Sequence, residues 1–98
     1  MTQSRNNLQR IHVFYSGRVQ GVGFRFTAET TAMELRLTGW VRNVRDGRVE
    51  AVVEGKEPLL HEFLQRMRAG PMAHFIKRVD VRWAAATGEF GGFEIRYF

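Results

Sequence analysis

The chain contains no cysteine, so disulfide staples, thiolate nucleophiles and cysteine-based zinc or iron–sulfur sites are all excluded. Its three histidines, His12, His61 and His74, lie in unrelated segments and show no HExxH or other metal-ligand spacing. Neither a nucleophilic triad nor a metal-dependent hydrolase finds support, and no metal or cofactor is expected. No run approaches the roughly eighteen apolar residues of a membrane-spanning helix. Residues 1–10, Met-Thr-Gln-Ser-Arg-Asn-Asn-Leu-Gln-Arg, lack the apolar core of a secretory signal. A cytoplasmic protein without a membrane partner is the expectation.

Acidic residues are scarce in the first half. Residues 1–48 hold eight arginines against only Glu29, Glu34 and Asp46, whereas the second half is balanced, so the whole net charge of +5 falls before Val49. Such a surplus suits a small anion or a nucleic acid, and equally an ordinary basic surface.

The 98 residues, 44% hydrophobic, suffice for one core and one domain. Residues 1–9 are polar and read as a flexible tail before a single domain at 10–98. Ile11-His12-Val13-Phe14-Tyr15 is β-branched and aromatic, a buried strand. Residues 23–35 place Phe24, Ala28, Thr31 and Leu35 on one helical face, with Arg36 standing where a glycine would end the helix more easily. Two strands, 37–44 and 48–54, flank the hairpin signal Arg45-Asp46-Gly47. In the second, Val49, Ala51 and Val53 form an apolar face opposite a mixed one carrying Glu50 and Glu54.

Pro58 opens a second helix whose stripe is Leu59, Leu60, Phe63, Leu64 and Met67. Val79, Val81 and Trp83 alternate with charged residues in a further strand, and Phe93, Ile95 and Tyr97 in a short last one. The order β-α-β-β-α-β plus a C-terminal strand predicts an α+β, ferredoxin-like split βαβ sandwich. Its sheet is expected to be mostly antiparallel, with both helices on one face.

Between the first strand and first helix lies Gly17-Arg18-Val19-Gln20-Gly21-Val22-Gly23-Phe24-Arg25. Glycines let successive backbone N–H groups turn toward one point, and a helix start adds orphan donors and a positive dipole end. Arg25 offers a planar fork of donors matched to phosphate oxygens. The third glycine of GxGxxG is missing and no Walker lysine follows, so a lone phosphate fits better than a nucleotide. Asn43, near the end of its strand, has two readings: hairpin turn chemistry, or a carboxamide that holds a water. An amide is no general base near neutral pH, so in the second reading it positions.

These two segments closely resemble the acylphosphatase family. Gly17 to Arg25 matches the pattern glycine, any residue, Val-Gln-Gly-Val, any residue, Phe-Arg. Gly39 to Glu50 matches Gly-Trp-Val, any residue, Asn and a turn with Asp-Gly. The likeness extends over Ile11 to Tyr97. It implies a small metal-free hydrolase of acyl phosphates, with Arg25 as the catalytic, phosphate-binding arginine and Asn43 as the water-orienting asparagine. Gly17, Arg18, Val19, Gln20, Gly21 and Val22 correspond to the phosphate cradle. Its substrate would be a small-molecule acyl phosphate, inorganic phosphate a product, and a monomer the expected state.

Two rivals from other classes have the same topology. One is a domain that binds phosphate or carbamoyl groups without turning them over. The other is an RNA-binding module, disfavoured because strand 48–54 has no stacking aromatic and carries two glutamates expected to be exposed.

Overall fold

A computed structural model describes residues 8–97. The elements are β1 (Leu8–Gly17), α1 (Phe24–Glu34), β2 (Thr38–Asn43), β3 (Val49–Lys56), α2 (Glu57–Ala69), a 3-10 turn (Ala73–Phe75), β4 (Ile76–Ala85) and β5 (Phe93–Arg96). They build one sheet in the order β4-β1-β3-β2-β5, antiparallel except where β5 joins β2 in parallel. Ferredoxin-like architecture is thus what the strand and helix periodicities produce.

The first strand starts earlier than its apolar run. Leu8 and Gln9, expected in the loose tail, pair with Lys56 and Gly55 because β3 itself runs on to Lys56. The rest of that tail, residues 1–7, lies outside the described residues.

Alternation decides the core. Ile11, Val13 and Tyr15 of β1 are fully buried with Val41 of β2 and Val49, Ala51 and Val53 of β3. Against this face pack Phe24, Ala28 and Ala32 of α1 and Leu60, Phe63 and Met67 of α2. Pro58 sits in the first turn of α2, where its missing N–H costs no helical bond.

The opposite face of β3 differs from expectation. Glu50 and Glu54 are only 7% and 4% exposed. Glu50 accepts from Arg42 Nε at 2.8 Å and lies 2.6 Å from His12 Nε2. Glu54 accepts from Arg10 Nε at 2.7 Å, from the backbone N–H groups of Thr87 and Gly88 at 2.9 and 3.0 Å, and from the Thr87 hydroxyl at 3.1 Å. The acidic strand expected to repel a phosphodiester backbone is therefore covered and neutralised. Apart from Arg42, across the hairpin, its partners are distant in sequence, and alternation along one strand shows none of them.

Burial by itself would raise both carboxyl pKa values, but the hydrogen bonds outweigh it and hold each below the usual glutamate range. A carboxyl depressed on folding adds stability that is complete above the unfolded-state pKa of about 4.3 and is lost as pH falls through the lower folded value. The thermal midpoint is therefore expected to drop as pH falls below about 4.3. A Glu50→Gln/Glu54→Gln double variant, followed by circular dichroism, should start lower at neutral pH and show a flatter acid limb.

Helix α1 ends on a residue that pays no heed to steric preference. The Leu37 N–H reaches the Ala32 carbonyl at 2.8 Å and the Arg36 N–H reaches the Met33 carbonyl at 3.0 Å, the two bonds of a Schellman stop. That stop needs a left-handed residue, and Arg36 takes it at φ 57, alone among the described non-glycine residues in having positive φ. Arg36→Gly should raise stability by about 0.5–1 kcal/mol, the steric relief less the entropy of an added glycine. An increased urea midpoint at unchanged m-value would register it.

Candidate active site

Sheet topology gathers the site. Both β1 and β2 pair antiparallel with the intervening β3, so they run the same way and their carboxyl ends share one edge. Tyr15 and Asn43 both stand opposite Val49. Strand β5 runs parallel to β2 with Arg42 beside Arg96, which sets Tyr97 level with Asn43. At this edge lies a cavity of about 180 Å³ lined by Val19, Gly21, Gly23, Phe24, Arg25, Phe26, Asn43, Ile95 and Tyr97.

The loop from β1 to α1 is fixed from both sides. The Arg18 N–H donates to the Phe75 carbonyl at 3.0 Å, tying the end of β1 to the 3-10 turn. Val19 is fully buried, and Val22 packs against the core. The Gln20 carboxamide donates to the carbonyls of Val44 and Arg48 at 2.7 and 2.9 Å, latching the loop onto the β2–β3 hairpin. That hairpin closes through the Val44 N–H to the Arg48 carbonyl at 2.8 Å, and the Asp46 carboxylate accepts the Arg48 N–H at 3.1 Å. The latter bond is the main cause holding the Asp46 pKa below its ordinary value.

With its side chains anchored, the loop can turn its backbone outward. Gly21 and Gly23 have φ 77 and 84, a region that disfavours any side chain, and the space where a Cβ would stand is open at both. Gly23 is also the N-cap of α1 and offers no side-chain oxygen, so the first helical N–H groups are left for another acceptor. Such a glycine-capped helix start offers an anion both free N–H donors and a favourable dipole end.

Arg25 is the one cation among the cavity-lining residues, and its guanidinium lies 5.0 Å from the Tyr97 ring centroid. Stacking on a ring face orients the fork while leaving its edge N–H donors free. Asn43 contributes a buried Oδ1 with no hydrogen-bond partner among the described residues. A buried amide oxygen without a partner is costly, and a bound water or substrate proton would satisfy it. Tyr15 packs at a tilt against Phe24, ring centroids 4.8 Å apart, and its hydroxyl, also buried without a partner among the described residues, has its pKa pushed up by burial.

Of the residues expected from sequence, the cavity brings together Val19, Gly21, Arg25 and Asn43. Gly17, Arg18, Gln20 and Val22 do not line it; Arg18, Gln20 and Val22 tie the loop down. Gly23, Phe24, Phe26, Ile95 and Tyr97 join from outside the expected set. The histidines stay away: His12 serves Glu50, His61 stacks on Trp83, and His74 sits in the 3-10 turn against Phe75. Among the described residues, no group of three or more His, Asp or Glu side chains is placed to hold a metal ion.

Two helices over a mixed five-stranded sheet define a ferredoxin-like domain, and the glycine-capped helix start and the arginine at one edge offer donors suited to a small anion. The chain belongs to the acylphosphatase family, whose sequence profile matches residues 11–95. An acylphosphatase of Roseiflexus sp. (strain RS-1) is 48% identical over 89 residues, which span 91% of this chain and 96% of that protein. The crystal structure of acylphosphatase from Bacillus subtilis shares the fold with a TM-score of 0.84 at 34% identity, covering 91% of this chain and 99% of the other. An acylphosphatase structure from Coxiella burnetii gives 0.85 at 35% identity, with coverage of 98% and 100%. No described helix is long and apolar enough to cross a membrane.

Proposed function

We propose that the protein hydrolyses the carboxyl–phosphate bond of acyl phosphates, releasing a carboxylate and inorganic phosphate. Family membership supports the reaction class. The observation that carries the site assignment is the meeting, around one small cavity, of Arg25, the glycines Gly21 and Gly23, and Asn43, whose Oδ1 is unpartnered among the described residues. The cavity's 180 Å³ is several times the roughly 30 Å³ share of one water, so a phosphate group and a water fit together.

In this mechanism the backbone N–H groups around Gly21 and Gly23, with Arg25, hold the phosphoryl oxygens. Arg18, Gln20 and Val22 keep that cradle in place from behind. Asn43 holds a water in line with the leaving oxygen. The water oxygen bonds to phosphorus as the bond to the acyl oxygen breaks, and the carboxylate leaves with the electron pair. One proton of the water passes to a phosphate oxygen of the substrate.

Because a carboxylate is the conjugate base of an acid with pKa about 4–5, it leaves without a strong general acid. Positioning and charge stabilisation then suffice, and neither metal nor cofactor is required. On this reading the protein works as a cytoplasmic monomer, with no nucleic-acid or membrane partner. Benzoyl phosphate should be hydrolysed far faster than in buffer, at a rate that EDTA leaves unchanged. A rate equal to buffer would refute the hydrolase, and loss with EDTA restored by added metal would refute its metal independence.

A further inference from the structure

The cavity has two chemically different parts, and the phosphate-binding groups account for only one of them. Arg25, the glycine loop and Asn43 address an anion and a water. Phe26 and Ile95 address neither, and Tyr97 brings an aromatic ring as well as its hydroxyl. Phe26 and Tyr97 are also the most exposed large apolar side chains among the described residues, at 70% and 74%. The remaining ones, Leu8, Met33 and Trp83, do not line this cavity.

Phe26 has no role in the core. Helix α1 buries Phe24, Ala28, Thr31 and Ala32, while Phe26 stands out in the first turn beside Arg25. Tyr97 approaches from β5 and gives one ring face to the Arg25 guanidinium. Exposed aromatic rings on two elements at one cavity are what a bulky apolar ligand would cover, since rings pair well edge-to-face or offset-stacked.

Resting on the hydrolase reading, we infer that Phe26 and Tyr97 form an acyl-group subsite, so that the preferred substrates carry an aromatic or similarly bulky apolar acyl group. A small acyl group such as acetyl reaches the phosphate cradle but covers little of these rings. Apolar contact to the acyl group persists unchanged as the phosphate bond breaks, so it strengthens binding of substrate and transition state alike. Selectivity should therefore lie in KM and not in kcat.

Phe26 is the cleaner handle, because Tyr97 also holds Arg25 and because an exposed first-turn residue can change without cost to the fold. The experiment compares benzoyl phosphate with acetyl phosphate in wild type, Phe26→Ser and Phe26→Tyr. It also measures, by titration calorimetry, the affinities of benzylphosphonate and methylphosphonate, which cannot be hydrolysed.

In Phe26→Ser, the benzoyl-to-acetyl ratio of kcat/KM should fall by about tenfold, through a raised KM for benzoyl phosphate. The benzyl-to-methyl ratio of phosphonate affinities should fall by a similar factor, and Phe26→Tyr should restore both ratios. The intrinsic reactivity difference between the substrates cancels in each comparison with wild type. Unchanged ratios would overturn the inference, as would a loss confined to kcat. If wild type hydrolysed neither substrate, the hydrolase reading would fall, while the phosphonate ratios would still decide whether the subsite exists.

Discussion

Arg25→Ala is expected to lower kcat/KM for benzoyl phosphate by about 100- to 1000-fold, the usual cost of losing an oriented donor to developing charge. The loss should appear in both parameters, because Arg25 meets the phosphate in the ground state and in the transition state. Inhibition by inorganic phosphate should weaken in parallel. The reason for so large an effect is that no other cation lines the cavity, so the remaining donors, backbone N–H groups and neutral side chains, carry partial charge only.

Arg25→Lys separates charge from geometry. A lysine restores the positive charge but not the planar fork, and it loses the stacking that holds the Arg25 guanidinium over Tyr97. Recovery should accordingly be partial. Steady-state kinetics with phosphate as competitor would measure all of these effects.

Asn43→Ala is expected to act on turnover, reducing kcat by about 100-fold while inorganic phosphate inhibits nearly as before. Its Oδ1 is buried and has no partner among the described residues, so it is available to a water without first giving up another bond. Asn43→Asp should behave differently despite its equal size. A carboxylate beside the anion-binding loop would repel a phosphate group, so inhibition by inorganic phosphate should weaken along with kcat. If the alanine variant lost phosphate binding as strongly as Arg25→Ala, Asn43 would be holding the phosphate and not the water.

Much of the fold could be read from local signals. Alternation in Val79, Val81 and Trp83, the Asp46-Gly47 turn and the stripe Leu60, Phe63 and Met67 each report on a short stretch of chain, and each element formed where that stretch implied. What escaped depends on pairing across the sheet. Glu50 and Glu54 look solvent-facing until Arg10, Arg42, His12 and the loop at Thr87 and Gly88 close over them. No period in the sequence announces these partners, all but Arg42 of them more than thirty residues away.

The site divides in the same way. Arg25 and the glycine loop are contiguous and carry their own chemistry, so they were legible. Asn43 is legible as a residue but ambiguous as a role, and its buried Oδ1, unpartnered among the described residues, is what the proposed water-holding role rests on. Alternation places Tyr97 only at the end of a final strand, which in the structure stops at Arg96. Its place beside Arg25 follows from the parallel pairing of β5 with β2, which the sequence does not specify. Phe26 adds nothing to the apolar face of its helix, so periodicity gives it no role, and that same lack of a packing role leaves it free for the inferred subsite.

Attack of water on phosphorus, with the carboxylate as leaving group, is the step on which the roles of Arg25 and Asn43 both depend. It can be followed by letting the protein hydrolyse benzoyl phosphate in water enriched in heavy oxygen and weighing both products by mass spectrometry. The label should enter inorganic phosphate and be absent from benzoate. Label in the benzoate would place the attack at the carbonyl carbon and contradict the assignment of Asn43 as the residue that aims water at a phosphate held by Arg25.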